Sequence, residues 1–168
     1  MKTFKTLSST ILFLFAVFTM SAQSKVAHIN SQALISEMPK VKEAQAQLEK
    51  LQKTYATEID ASMKEYQTKL QTYSADAQNQ TDVTNQARQK ELAGMEQNIQ
   101  QYQQTASQDI QKKQADLLKP LIEKARAAIQ KVARAQGYDY VIDGTQGGSL
   151  ILSDGKDLIE DVKKELGF

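Results

Sequence analysis

The chain has no cysteine, one histidine and two prolines in 168 residues. Without cysteine there is no disulfide, no thiolate metal site and no cysteine nucleophile. The lipid-bearing cysteine that tethers exported bacterial proteins to a membrane is missing as well. His28, alone in an apolar stretch, has no second histidine to join it as metal ligand or base, and is read as structural. A basic excess is absent too. Lysine plus arginine number 21 against 20 acids, so nucleic acid is not an expected partner.

The chain has one long apolar run, Ile11 to Met20, and it is too short for a membrane span of about 20 residues. Lys2 and Lys5 precede it, and Ser21, Ala22, Gln23 and Ser24 follow. This order is that of a secretory signal. Residues 1–22 are expected to be removed by cleavage after Ala22, leaving 23–168 as a single exported, soluble domain. The loss of Lys2 and Lys5 takes 21 basic residues to 19 against 20 acids, a net charge of −1.

With few breakers, Val41 to Val132 reads as a helical hairpin. Val41, Ala44, Leu48, Leu51, Tyr55, Ile59, Met63, Tyr66, Leu70 and Tyr73 step by threes and fours, as an amphipathic helix does. Three consecutive fours from Leu51 to Met63 depart from a strict heptad, so a relaxed or reversed supercoil is expected there. Periodicity fails between Ser74 and Thr84, the expected hairpin tip, where Thr81 or Asp82 caps the returning limb. Met95, Ile99, Tyr102, Ala106, Ile110, Leu117, Leu121, Ala125, Ile129 and Val132 mark that limb. Pro120 predicts a kink near Asp116, where the limb enters the body.

The ends read as strand and short helix. Val26–Asn30 suggests a strand, with Asn30 or Ser31 capping a short helix to Glu37. Proline suits the first turn of a helix at Pro39, and Gly137 closes the second limb. Tyr138–Asp143 and Ser149–Ser153 then alternate as two strands of a hairpin around Gly144–Gly148. Asp154 or Asp157 caps a last helix carrying Leu158, Ile159, Val162 and Leu166. The fold class is α+β, with a body of about 25–38 and 121–168 and an arm of about 39–120.

Little here suggests chemistry. Asp139, Asp143, Asp154 and Asp157 could meet at a cation, but outward alternation and turn or cap positions account for them. The glycines at 144–148 join two strands, whereas a phosphate cradle leads from strand into helix. Neither a nucleophile–base pair nor a ligand set can be assembled, so no enzyme activity, cofactor or metal is expected. Tyr55, Met63, Tyr66, Tyr73, Met95 and Tyr102 either form the seam between limbs or offer an adaptable binding surface.

The order of signal, KVAHIN strand, long helical hairpin, GYDYVID, SLILS and closing DLIEDVKKEL helix resembles the Skp/OmpH family of periplasmic chaperones. The resemblance spans Lys25 to Phe168 and is most specific over Ala127–Asp143. It implies a homotrimer in which three helical arms enclose a cavity that holds unfolded outer-membrane β-barrel proteins without ATP. It places Val26, Ile29, Tyr140, Ile142, Leu150 and Leu152 in a β body shared between subunits. Tyr66, Tyr73, Met95 and Tyr102 become the expected client contacts. The family's best-known members are strongly basic with positive arm tips. This chain is nearly neutral and carries Asp76 and Asp82 at the tip, which argues against lipopolysaccharide or membrane-surface binding. The competing reading is a coiled-coil adapter or spacer of the cell envelope.

Overall fold

Lys25 starts the fold by clasping a segment more than a hundred residues away. Its N–H donates to Asp139 at 2.9 Å, and its ammonium donates to the Gln136 carbonyl at 2.8 Å beneath the Tyr138 ring. These contacts come from a computed structural model, which describes residues 24–145, 147 and 150–168. The expected signal, 1–22, lies outside the described residues.

Strand β1 (Val26–Ile29) follows. Asn30 ends it and accepts a hydrogen bond from the Ala33 N–H at 2.9 Å, capping helix α1 (Ser31–Glu37). Met38 turns the chain, and Pro39, in the first turn, opens α2 (Pro39–Asp76). A 3₁₀ turn (Ala77–Asn79) reverses direction, and Thr81 caps α3 (Asp82–Ala135) through the Thr84 N–H at 3.2 Å. The 38 residues of α2 span roughly 50–60 Å. Helix α3 continues through Pro120, whose missing N–H deprives the Asp116 carbonyl of its usual partner.

At the far end of α3, Gly137 adopts φ +71°. The Gly137 and Tyr138 N–H groups donate back to the Arg134 and Ala133 carbonyls at 3.1 and 3.0 Å. This is a Schellman closure, which requires the left-handed conformation that glycine supplies. Strand β2 (Tyr140–Asp143), strand β3 (Lys156–Asp157) and helix α4 (Ile159–Leu166) complete the order.

The sheet differs from the expected hairpin. Its order is β2-β1-β3, with β1 parallel to both neighbours. Leu150–Ser153 forms no strand; Leu150 folds back toward Gly144, while Ile151 and Leu152 stand exposed. The third strand falls instead at Lys156–Asp157. The physical reason is length. The connection from Gly144 to Gly155 can carry the chain past β1 to its far edge, and parallel strands require such a crossover. The first strand of the expected pair also begins two residues later than Tyr138.

One sheet face packs on the helices. Ala27 and Ile29 join Leu34, Met38, Val41, Ala125, Ala128, Val132, Leu158 and Val162 in a core. Ile29 is 2% exposed, so it serves the protomer's own interior and not an outward face. Tyr140 and Ile142, on the opposite face, are 60% and 43% exposed, and Val26 beside Tyr140 is open as well. Lys163 ties α4 to α1 through Glu37 at 2.7 Å.

Candidate functional site

The two limbs form a long surface, and what joins them determines what they can offer. Near the body, Val41, Ala44 and Leu48 are buried on α2, and Ala106 is buried on α3. Further out the joint changes character. The half-buried positions of α2 are Leu51, Tyr55, Ile59, Ser62, Tyr66, Lys69, Tyr73 and Asp76. From Tyr55 their spacing alternates four and three, the heptad step that keeps two long helices in register. The apolar stripe read from sequence placed Met63 and Leu70 in the seam. The structure places Ser62 and Lys69 there, so the expected run of three fours does not describe the contact. Met63 and Leu70 sit one position outside it, 42% and 40% exposed.

Polar rungs cross this outer seam. The Tyr55 hydroxyl donates to Asp109 at 2.9 Å, and the Tyr102 hydroxyl donates to Glu58. The two rings meet edge to face at 5.7 Å. Glu91 accepts from the Tyr73 hydroxyl at 2.7 Å and from the Lys69 ammonium at 2.6 Å. Toward the tip, Asp76 accepts from Arg88 at 3.1 Å, and that guanidinium lies 4.6 Å from the Tyr73 ring centre. Asp76 therefore serves as a brace, paired with a cation.

Of the four expected client contacts, Tyr73 and Tyr102 are cross-braces with open edges. Tyr66 is a half-buried seam residue. Met95 lines a cleft of about 410 Å³ with Ile59, Ser62, Glu65, Lys69 and Asn98. Sequence reading missed Glu58, Arg88, Glu91 and Asp109, and took Asp76 as a tip acid without its partner, because it followed apolarity, and the signal lay in charged residues facing tyrosines and each other across the hairpin.

The rungs shift their own titrations. The hydrogen bond to Glu58, with burial second, pushes the Tyr102 phenol up to about 12. The Lys69 ammonium first, then the Tyr73 hydroxyl, lower Glu91 below its ordinary 4.5. Arg88 and then Asn79 lower Asp76 below 3.8. A lowered carboxyl stabilises the fold fully above its unfolded pKa, and the effect is lost as pH falls through the folded value. A raised phenol acts in reverse, fully present below 10.0 and lost as pH rises through about 12. The seam should therefore be flat across neutrality and loosen at both extremes. A pH series of thermal melts followed by far-UV circular dichroism checks this. Glu91→Gln should weaken the acid limb of that profile, and an unchanged profile would mean the rungs carry no stability.

The four aspartates do not meet. Asp139 takes the Lys25 N–H, and Asp157 takes the Ile159 N–H at 2.9 Å while lying 4.0 Å from His28. Asp143 accepts from the N–H and hydroxyl of both Ser31 and Thr145. Burial raises its pKa, but these bonds outweigh burial and leave it lowered. Among the described residues no group of three or more such side chains could hold a metal ion, and no helix is long and apolar enough to cross a membrane.

A long braced hairpin on a small sheet can now be set beside known proteins. A profile of the family described as Outer membrane protein (OmpH-like) matches residues 25–166. This chain belongs to that family. Among relatives of the OmpH-like chain is the chaperone protein Skp of Pectobacterium atrosepticum. It is 24% identical over 155 residues, which cover 92% of this chain and 93% of that one. A crystal structure of an OmpH-like outer membrane chaperone from Caulobacter crescentus CB15 superposes with a TM-score of 0.75 at 15% identity. It covers 86% of this chain and 85% of the other. At that identity the likeness establishes the shared fold, a helical hairpin projecting from a small sheet.

Proposed function

We propose that this protein is an ATP-independent holdase of the periplasm that binds unfolded outer-membrane proteins and keeps them from aggregating. The observation that carries the reading is the outer arm. Between Leu51 on α2 and Thr105 on α3 no side chain of either limb is buried, so the limbs present long open surface without an enclosing pocket for chemistry. Membership of the OmpH-like family and the likeness to a protein named chaperone Skp support the same class. The signal read at 1–22 supports export, and the family resemblance implies the periplasm as its destination.

The family resemblance implies a homotrimer as the working form, in which three arms surround a client that a lone arm cannot. Val26, Tyr140 and Ile142 form the outward sheet face, with Leu150 and the exposed Leu152 nearby in sequence. Joining copies through this face would bury its exposed apolar side chains, and closure of the sheet across subunits would also remove the open strand edge that otherwise invites uncontrolled pairing. Ile29 supports that face from inside. Tyr66, Tyr73, Met95 and Tyr102 contribute their open edges to client contact.

The test is dilution of a urea-unfolded outer-membrane β-barrel protein into buffer containing the mature chain, followed by light scattering. Suppression at stoichiometric trimer without ATP is the expected result. Unchanged scattering would favour a spacer with a fixed envelope partner.

A further inference from the structure

The two flanks of α2 differ in chemistry. In the heptad frame of the seam, the positions directly after Tyr55, Ser62 and Lys69 are Ala56, Met63 and Leu70. Those directly before Ile59, Tyr66 and Tyr73 are Glu58, Glu65 and Thr72. One flank is therefore apolar and free of charge, and the other carries two carboxylates. The polar flank is in use, since Glu58 takes the Tyr102 hydroxyl and Glu65 lies 3.4 Å from Lys69. An apolar stripe that includes this extra flank position is wider than a single partner helix covers. Here α3 covers the seam positions, while Met63 and Leu70 remain 42% and 40% exposed.

We infer that the Met63–Leu70 flank is the arm's docking stripe for short, apolar, uncharged segments of an unfolded polypeptide. The inference rests on the holdase reading and assigns its contact residues. Charge supports this occupant: the stripe's own side chains offer no ionic partner to an acidic or a basic segment. Length argues against a third helix. A coiled-coil seam is marked by apolar residues sustained over about three to four heptads, and this stripe has two large ones, preceded by an alanine. Met63 is unbranched and polarizable, which suits varied occupants. The stripe's two large side chains stand about 10 Å apart along the axis, enough for a few residues of extended chain.

The test compares Met63→Glu/Leu70→Glu with Ala61→Glu/Thr68→Glu, which adds the same charge at exposed positions outside the seam, in the mature, assembled protein. The probe is a fluorescently labelled, urea-unfolded outer-membrane β-barrel protein, titrated with each variant. Helicity and sedimentation are measured in parallel. The expected result is affinity weakened by about tenfold or more in Met63→Glu/Leu70→Glu, with wild-type helicity and mass, and by less than about twofold in Ala61→Glu/Thr68→Glu. Wild-type affinity in Met63→Glu/Leu70→Glu would overturn the inference while leaving the holdase reading intact. A change in sedimenting mass would overturn it in favour of a contact between copies. Failure of the wild-type protein to bind the probe would instead remove the holdase reading itself, and this inference with it.

Discussion

Replacing Leu34 by alanine is expected to destabilise the body by about 2–5 kcal/mol, the usual cost of opening a cavity at a fully buried leucine. Leu34 is 0% exposed and sits on a seven-residue helix. That helix is too short to persist unless tertiary contacts hold it. Four of the ten other buried residues in its core are alanines, namely Ala27, Ala125, Ala128 and Ala133, so few large side chains share the task. Small domains have about 5–15 kcal/mol in total, which makes one leucine a large fraction. Urea unfolding followed by circular dichroism gives the number, with the midpoint expected to fall at constant slope. A loss below about 1 kcal/mol would mean that α1 closes over the space, and that the body tolerates more than its packing suggests.

The same residue illustrates what was legible in the sequence. The short helix after Asn30 and its cap could be read locally, because an asparagine that accepts from the N–H three residues on uses no distant information. That Leu34 would be central could not be read, because its partners Leu158 and Val162 arrive from the other end of the chain. The limbs and the Gly137 closure were likewise local and came through. The strand pattern misled at Ser149–Ser153, where alternation and a glycine-rich loop fit a hairpin. The topology instead places β1 between β2 and β3. Alternation encodes which way side chains point, not which strand lies alongside.

The arm shows a second limit. Apolarity selected Met63 and Leu70 for the seam, whereas continuous contact between two long helices selects positions every three and a half residues. That geometry places Ser62 and Lys69 inward, and Lys69 is tolerable there because Glu91 and Glu65 meet its ammonium at 2.6 and 3.4 Å. The misplaced pair thereby became the informative one, since apolar side chains outside a satisfied seam are the ones left for something else. Tyr73 and Tyr102 moved in the opposite sense, from free contact surface to braces whose hydroxyls are already engaged.

Ile142→Asp is expected to give the largest functional effect, because it acts on assembly and leaves the protomer standing. Ile142 is 43% exposed and stands in register with His28 of β1, so an aspartate there meets water in the monomer. In a trimer joined through this face, three carboxylates would be desolvated without partners. At about 3 kcal/mol for each contact, association would weaken by two orders of magnitude or more at each interface. Sedimentation should then show a single protomer with wild-type helicity, and suppression of client aggregation should be lost. Tyr140→Ser, which removes area without adding charge, should fall between this variant and wild type. A trimeric mass in Ile142→Asp would show that the outward sheet face is not the joint, and Ile151 and Leu152 would become the next residues to replace.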